Sequence, residues 1–318
     1  MGGVTAMAAK LAPVVFVFAA GVVFARRGTI DAAASKLFSE FAFRFAIPAY
    51  LLGSLYAADL DRVFDPRAIG SYALTLLLAA CLVGGICYAR GLGMRGIALR
   101  IMAACQVNTA YLAIPVFALL FGDVSPIFPI LLLQVCVLTT VIIALLESAP
   151  GDGIPVGATA AGRVRRGLWS ALTTPLVLSC WLGIGANLTA VPVPRWMLDC
   201  LSTAGAASAP IALFALGLHL GGTGLRLRPA APGEYWLIAC KCLAFPALTW
   251  LIADAVFHVG HPWLAYLTLI AAMPTAQNLF LFAQSYDTDI DLAAATVVKS
   301  TLVSLLLLPI WAALLISG

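Results

Sequence analysis

Ten mostly apolar stretches run along the chain, at about residues 7–25, 35–57, 68–89, 97–121, 126–147, 169–188, 196–220, 234–257, 263–285 and 291–316. Each is near the roughly 20 residues that a helix needs to cross a bilayer core. No water satisfies a backbone N–H or C=O in lipid, so a spanning segment must close its own hydrogen bonds as a helix. The composition agrees: 63% of the 318 residues are hydrophobic and 10% are charged, whereas soluble domains carry about 25% charge. The mean hydropathy is +1.04. The pattern predicts an all-α polytopic membrane protein with ten transmembrane helices, in which the lipid bilayer is the solvent.

Several functions are disfavoured by composition. A net charge of +4 is no footprint for nucleic acid. The eight cysteines lie mostly in apolar stretches, and none forms a C-x-x-C pair. They read as small packing residues rather than as a disulfide or metal framework, and no cofactor is expected. The apolar run at 11–25 has Arg26 and Arg27 behind it and Lys10 alone ahead. A cleaved signal carries its charge in front, so an uncleaved first span with its N-terminus outside is expected.

Basic residues are unevenly divided. Loops after spans one, three, five and seven, with their flanks, hold eleven Lys and Arg, including Arg163, Arg165 and Arg166; the opposite side holds four. Basic loops stay in the cytoplasm. The segment 148–168 is therefore expected to be a cytoplasmic linker, with both termini outside a cytoplasmic (inner) membrane. It separates residues 1–147 from 169–318, five spans each. A shift of 162 positions lays Pro13 on Pro175, Gly21 on Gly183 and Pro48 on Pro210. An odd number of spans makes a duplicated half enter from the other face, which gives two inverted five-helix repeats. The competing explanation is that prolines are simply common in membrane helices.

Two spans are interrupted in matching places. Residues 105–123, "CQVNTAYLAIPVFALLFGD", carry Asn108, Thr109 and Pro115; residues 271–286, "AAMPTAQNLFLFAQSY", carry Pro274, Gln277 and Asn278. Paired interrupted spans in repeat-related positions point to a transporter's binding site. A helix broken in mid-membrane leaves N–H groups at the start of one half and C=O groups at the end of the other. The first of these ends favours an anion. Pro115 and Pro274 are each expected to open a half-helix, a position where the missing N–H costs nothing. Asn108, Thr109, Gln277 and Asn278 are expected to bridge freed backbone groups or to meet substrate. The plainer alternative is two kinked helices whose amides bond to neighbouring helices.

These residues carry a resemblance. "NTAYLAIPVFALLFGD" resembles the fourth-span pattern of the auxin efflux carrier family, and "MPTAQNLFLFAQSYDTD" resembles its ninth. "LLLQVCVLTTVIIALLE", residues 131–147, is similar to its fifth span, with Gln134 and Glu147 in matching places. Ala113 stands where the family often has Gly. The short middle loop resembles bacterial members of the family, within the bile acid/auxin/arsenite transporter superfamily. The resemblance implies that broken helices 4 and 9 cross, and that a moving bundle works against a scaffold by elevator-type alternating access. It implies substrates that are small organic anions, carboxylates such as malate or malonate, or auxin-like aromatic acids. Asn108, Gln134 and the Pro115/Pro274 crossing enter the site by motif, and a homodimer is implied as well.

Arg44, Lys241 and Lys299 lie inside spans, where an ionisable residue is a functional candidate by default. Lys299 is expected to reach the C-terminal ends of the broken halves, either to neutralise the crossing or to touch substrate. Lys241 and Arg44 are expected to snorkel towards the span ends. No acidic residue lies beside either break, which disfavours cation antiport. Coupling to H⁺ or Na⁺ stays open, and a sodium-coupled organic-anion symporter of the bile-acid type is the alternative carrier. A membrane enzyme lacks an H-E-x-x-H pair or a nucleophile elbow, and a non-transporting receptor lacks a long soluble segment.

Overall fold

The computed structural model describes residues 2–148, 169, 172–222 and 232–316. Arg163, Arg165 and Arg166 of the linker, and Arg226 and Arg228, lie outside the described residues. Among the described residues all regular structure is helical. The helices are α1 (Gly2–Arg26), α2 (Ala34–Phe41), α3 (Ile47–Ala57), α4 (Leu60–Val63), α5 (Pro66–Ala89), α6 (Met94–Cys105), α7 (Ile114–Phe121), α8 (Ile127–Leu132) and α9 (Thr139–Ser148). They continue with α10 (Pro175–Leu188), α11 (Arg195–Ala206), α12 (Ser208–Gly222), α13 (Pro232–Ala239), α14 (Phe245–Leu251), α15 (Trp263–Ala272), α16 (Asn278–Ser285) and α17 (Ile290–Ile316). Neighbouring pieces join into five stretches long and apolar enough to cross a bilayer, at Leu60–Ala89, Ile127–Leu146, Arg195–Gly222, Gly233–Val256 and Ile290–Leu315. Shorter apolar helices include Pro175–Leu188 and Trp263–Ala272.

Three of the joints share a cause. The π-helical turns Ala42–Ala46, Thr109–Ala113 and Cys240–Ala244 each end two residues ahead of a proline, at Pro48, Pro115 and Pro246. A proline lacks the N–H and its ring presses on the carbonyl four residues back. One extra residue in the preceding turn lets the helix continue past that defect.

Contacts divide the chain into two compact units. The first comprises Met1–Asp65, Thr109–Phe128 and Thr173–Leu227; the second comprises Pro66–Asn108, Pro129–Leu172 and Arg228–Gly318. In the first unit, glycines bring helix backbones together. A Cβ on Gly21 of α1 would lie 2.4 Å from the Phe214 carbonyl of α12, and one on Gly217 of α12 would lie 2.2 Å from the Phe18 carbonyl. Gly183 of α10 likewise faces the Leu52 carbonyl of α3, at 2.8 Å. The Asn187 amide then caps α3, donating to the carbonyls of Tyr56 at 2.7 Å and Ala58 at 2.9 Å, groups that a helix end cannot satisfy by itself.

In the second unit, several buried hydroxyls are satisfied within their own helices. Ser71, Thr75, Thr249, Thr268 and Thr301 each donate to a carbonyl three or four residues earlier. That local bond removes the cost of carrying a hydroxyl into an apolar core. Helices α5, α6, α9, α15 and α17 pack here around Tyr72, Met102 and Leu267, each fully buried, and they hold the two breaks.

Candidate functional site: two broken helices that cross

The first break follows Cys105. Gln106 donates its N–H to Met102 at 2.9 Å and then turns extended, with φ −82° and ψ 134°. In an unbroken helix the Val107 N–H would reach the Ala103 carbonyl. It donates instead to Oε1 of Gln134 at 3.2 Å, and Thr275 Oγ1 donates to the Ala103 carbonyl at 2.7 Å. Gln134 is buried at 2% exposure, and its Nε2 donates to the Tyr72 hydroxyl at 3.1 Å. The side chain of Gln134 therefore replaces one backbone acceptor of the broken helix.

The second break follows Ala272. A residue ahead of proline is driven to extended backbone, and Met273, before Pro274, has φ −64° and ψ 153°. The Met273 N–H donates to Ile270 at 3.1 Å, and the Thr275 N–H to Ser300 Oγ on α17 at 3.2 Å. Helix α16 starts at Asn278, behind Gln277, with no side-chain cap.

The two extended pieces lie antiparallel, with Val107 paired against Thr275. The Asn108 N–H donates to the Pro274 carbonyl at 2.9 Å, and the Ala276 N–H to the Gln106 carbonyl at 3.3 Å. Every backbone N–H of residues 106–108 and 273–276 thus has an acceptor, Pro274 having none to offer. Within 106–108 and 273–276 no peptide donor is left open, contrary to the expectation from the sequence. Beside the breaks, Gln106 Oε1, Gln277 Nε2 and Asn278 Oδ1 are buried side-chain atoms with no hydrogen-bond partner among the described residues.

Residues 6–156 and 164–312 match the family described as membrane transport protein, that of the auxin efflux carriers. The chain belongs to that family. A candidate malonate transporter of Rhizobium meliloti is 29% identical over 165 residues, 52% of this chain and 50% of that protein. The chain therefore aligns with about half the length of that relative. An uncharacterized transporter of Methanothermobacter thermautotrophicus is 27% identical over 277 residues, 85% of each chain.

Asn108, Gln134 and Pro274 come together at the crossing, and Gln277 and Asn278 follow it directly. Asn108 is 3% exposed. Thr109, also buried, begins the π turn that leads to α7 in the first unit. Pro115 is the second residue of α7, beyond that turn, so the discontinuity lies upstream of it at 106–108. Pro274 sits in the extended break itself rather than at the head of a helix.

Lys299 is engaged elsewhere, in an ion pair with Glu234 whose side chains are 14% and 12% exposed. The cation at a broken end is Lys241. It does not snorkel: its residue is 0% exposed and its Nζ donates to the Ala271 carbonyl at 3.4 Å. Arg44, by contrast, is exposed. Reading the sequence also passed over Thr275, Ser300 and Gln106. The signals were present, since Thr275 follows the proline and Gln106 opens the first break, but a hydroxyl in an apolar span more often bonds to its own helix.

Proposed function

We propose that the crossing is the binding site of a secondary transporter for small organic anions, namely carboxylates such as malate or malonate, or auxin-like aromatic acids. The observation that carries this reading is a buried amide donor, Gln277 Nε2, with no partner among the described residues, just after a crossing whose own backbone donors are engaged. Leaving such an atom buried and unsatisfied costs about 1–3 kcal/mol; a carboxylate oxygen that accepts from Gln277 Nε2 recovers that cost. Gln106 Oε1 and Asn278 Oδ1 only accept, and take a hydroxyl or a protonated carboxyl of the solute. Gln277 Nε2 is a donor at the uncapped start of α16, where the partial positive charge of a helix favours an anion. The carboxylate relative from Rhizobium supports this substrate class.

The hydrogen bonds that tie the crossing together all lie within the second unit. That supports an elevator in which the crossing and its anion travel as one body. The inverted ten-span repeat has support of the same kind. Gly21 and Gly183, which fall on each other under the shift of 162, make equivalent close approaches, α1 to α12 and α10 to α3. These are the helix pairs that a five-span duplication exchanges. In this reading residues 1–147 and 169–318 are the two repeats, and both termini lie outside the inner membrane.

The test is uptake of labelled malonate, malate and an aromatic acid into liposomes that contain the purified protein. Saturable uptake is expected for one of them, with affinity at least tenfold weaker in Gln277→Leu and Asn278→Leu, about 1.4 kcal/mol. Absence of uptake for all three, or uptake indifferent to both substitutions, overturns the reading.

A further inference from the structure

Lys241 has no role in the binding reading above, yet it is a fully buried cation at the crossing. Pro246 creates the π turn Cys240–Ala244 that carries it. This turn packs against both α6 and α15, the two helices whose C-terminal ends run into the breaks. Its Nζ donates to Ala271, the penultimate residue of α15, and stands 4.6 Å from the ring centroid of Phe245. Among the described residues no Asp or Glu forms an ion pair with Lys241.

Each helix C-terminus is equivalent to about −0.5 elementary charge. Two such ends amount to about one negative charge, which a single ammonium group offsets. In transporters with broken helices, half-helix C-termini and unwound carbonyls are where a coupling Na⁺ is coordinated. We propose that Lys241 is a resident cation that takes this place, so that the crossing binds its anion without a Na⁺ ion from solution there. The inference rests on the transporter reading, and it decides between the two kinds of carrier that the sequence left open.

The test is thermal unfolding of the purified full chain in NaCl against choline chloride at equal ionic strength, without any organic anion. The wild-type protein is expected to unfold at the same temperature in both salts. In Lys241→Ser the carbonyls lose their cation and a hydroxyl oxygen is added. This variant is expected to be less stable in choline and to regain several degrees with Na⁺ in a saturable manner, since an ion that binds only the folded state raises its stability. Lys241→Arg, which keeps the charge, is expected to stay indifferent to Na⁺.

Saturable stabilisation of the wild-type protein by Na⁺ overturns the proposal. So does a Lys241→Ser variant that is equally unstable in both salts, the outcome of a purely structural role. If Lys241→Ser does not fold, the wild-type and Lys241→Arg comparisons still decide the matter. No substrate is present, so the Na⁺ result is read independently of uptake, and a failure of one measurement is distinguishable from a failure of the other.

Discussion

The backbone N–H of Asn108 donates to the carbonyl of Pro274 at 2.9 Å, across 165 residues of intervening chain. This bond and its companion from Ala276 to Gln106 make one short antiparallel crossing out of two failed helix turns. Each break satisfies the other. Neither piece could stand alone in lipid, where an unsatisfied peptide group costs several kcal/mol.

Pro274 holds that crossing open by forcing Met273 out of the helical region. Pro274→Ala returns an N–H and removes the bias, so α15 gains the freedom to wind further. Hydrogen exchange followed by mass spectrometry is expected to show faster exchange in peptides that cover 106–108 and 274–276, with the other helices of the second unit unchanged. Unaltered exchange there would mean that the crossing is fixed by its neighbours and not by the proline.

Gln134 serves structure, whereas Gln277 has an unpartnered donor. Gln134→Leu strands the Val107 N–H and the Tyr72 hydroxyl together, and is expected to cost about 1–3 kcal/mol of stability. Gln277→Leu removes no bond from Nε2 and is expected to leave the unfolding temperature unchanged while it weakens anion binding. Denaturant unfolding in detergent, run on both variants, separates the two roles. Equal stability losses would remove the distinction.

Lys299 and Glu234 form a nearly buried ion pair. Removing one partner leaves the other charge in an apolar setting, with a cost of about 3–5 kcal/mol. Lys299→Met is therefore expected to be strongly destabilised, and Lys299→Met combined with Glu234→Leu to recover most of the loss. A double-mutant cycle on unfolding checks this. Failure of the second substitution to rescue would point to a role for Lys299 outside the pair.

Gly217 permits α1 and α12 to touch backbone to backbone. A Cβ there would meet the Phe18 carbonyl at 2.2 Å, and overpacking of this kind costs about 1–3 kcal/mol. Gly217→Ala is expected to lower the unfolding temperature by several degrees. Gly85→Ala, where nothing lies within 4 Å, is the control and is expected to be neutral or slightly stabilising. Equal effects at the two positions would count against close packing as the cause.

The sequence by itself determined the class of the molecule and the second break at Pro274; the first was expected to open at Pro115 and lies upstream, at 106–108. Apolar stretches of spanning length leave the helix as the available element in lipid. Pro274 forces its predecessor out of helical geometry for a reason written locally, whereas the break at 106–108 is held by distant partners, Gln134, Pro274 and Thr275. Which groups face one another was a different matter. Lys241 and Lys299 look alike in sequence, each a lone lysine in an apolar span, and tertiary packing gave one to the Ala271 carbonyl and the other to Glu234. Gln134 looked like a binding amide until folding set it against Val107 and Tyr72. The physical reason is one of range: helix formation and interruption depend on neighbours within a few residues, whereas the partner of a buried polar group is selected by whichever distant element packs against it.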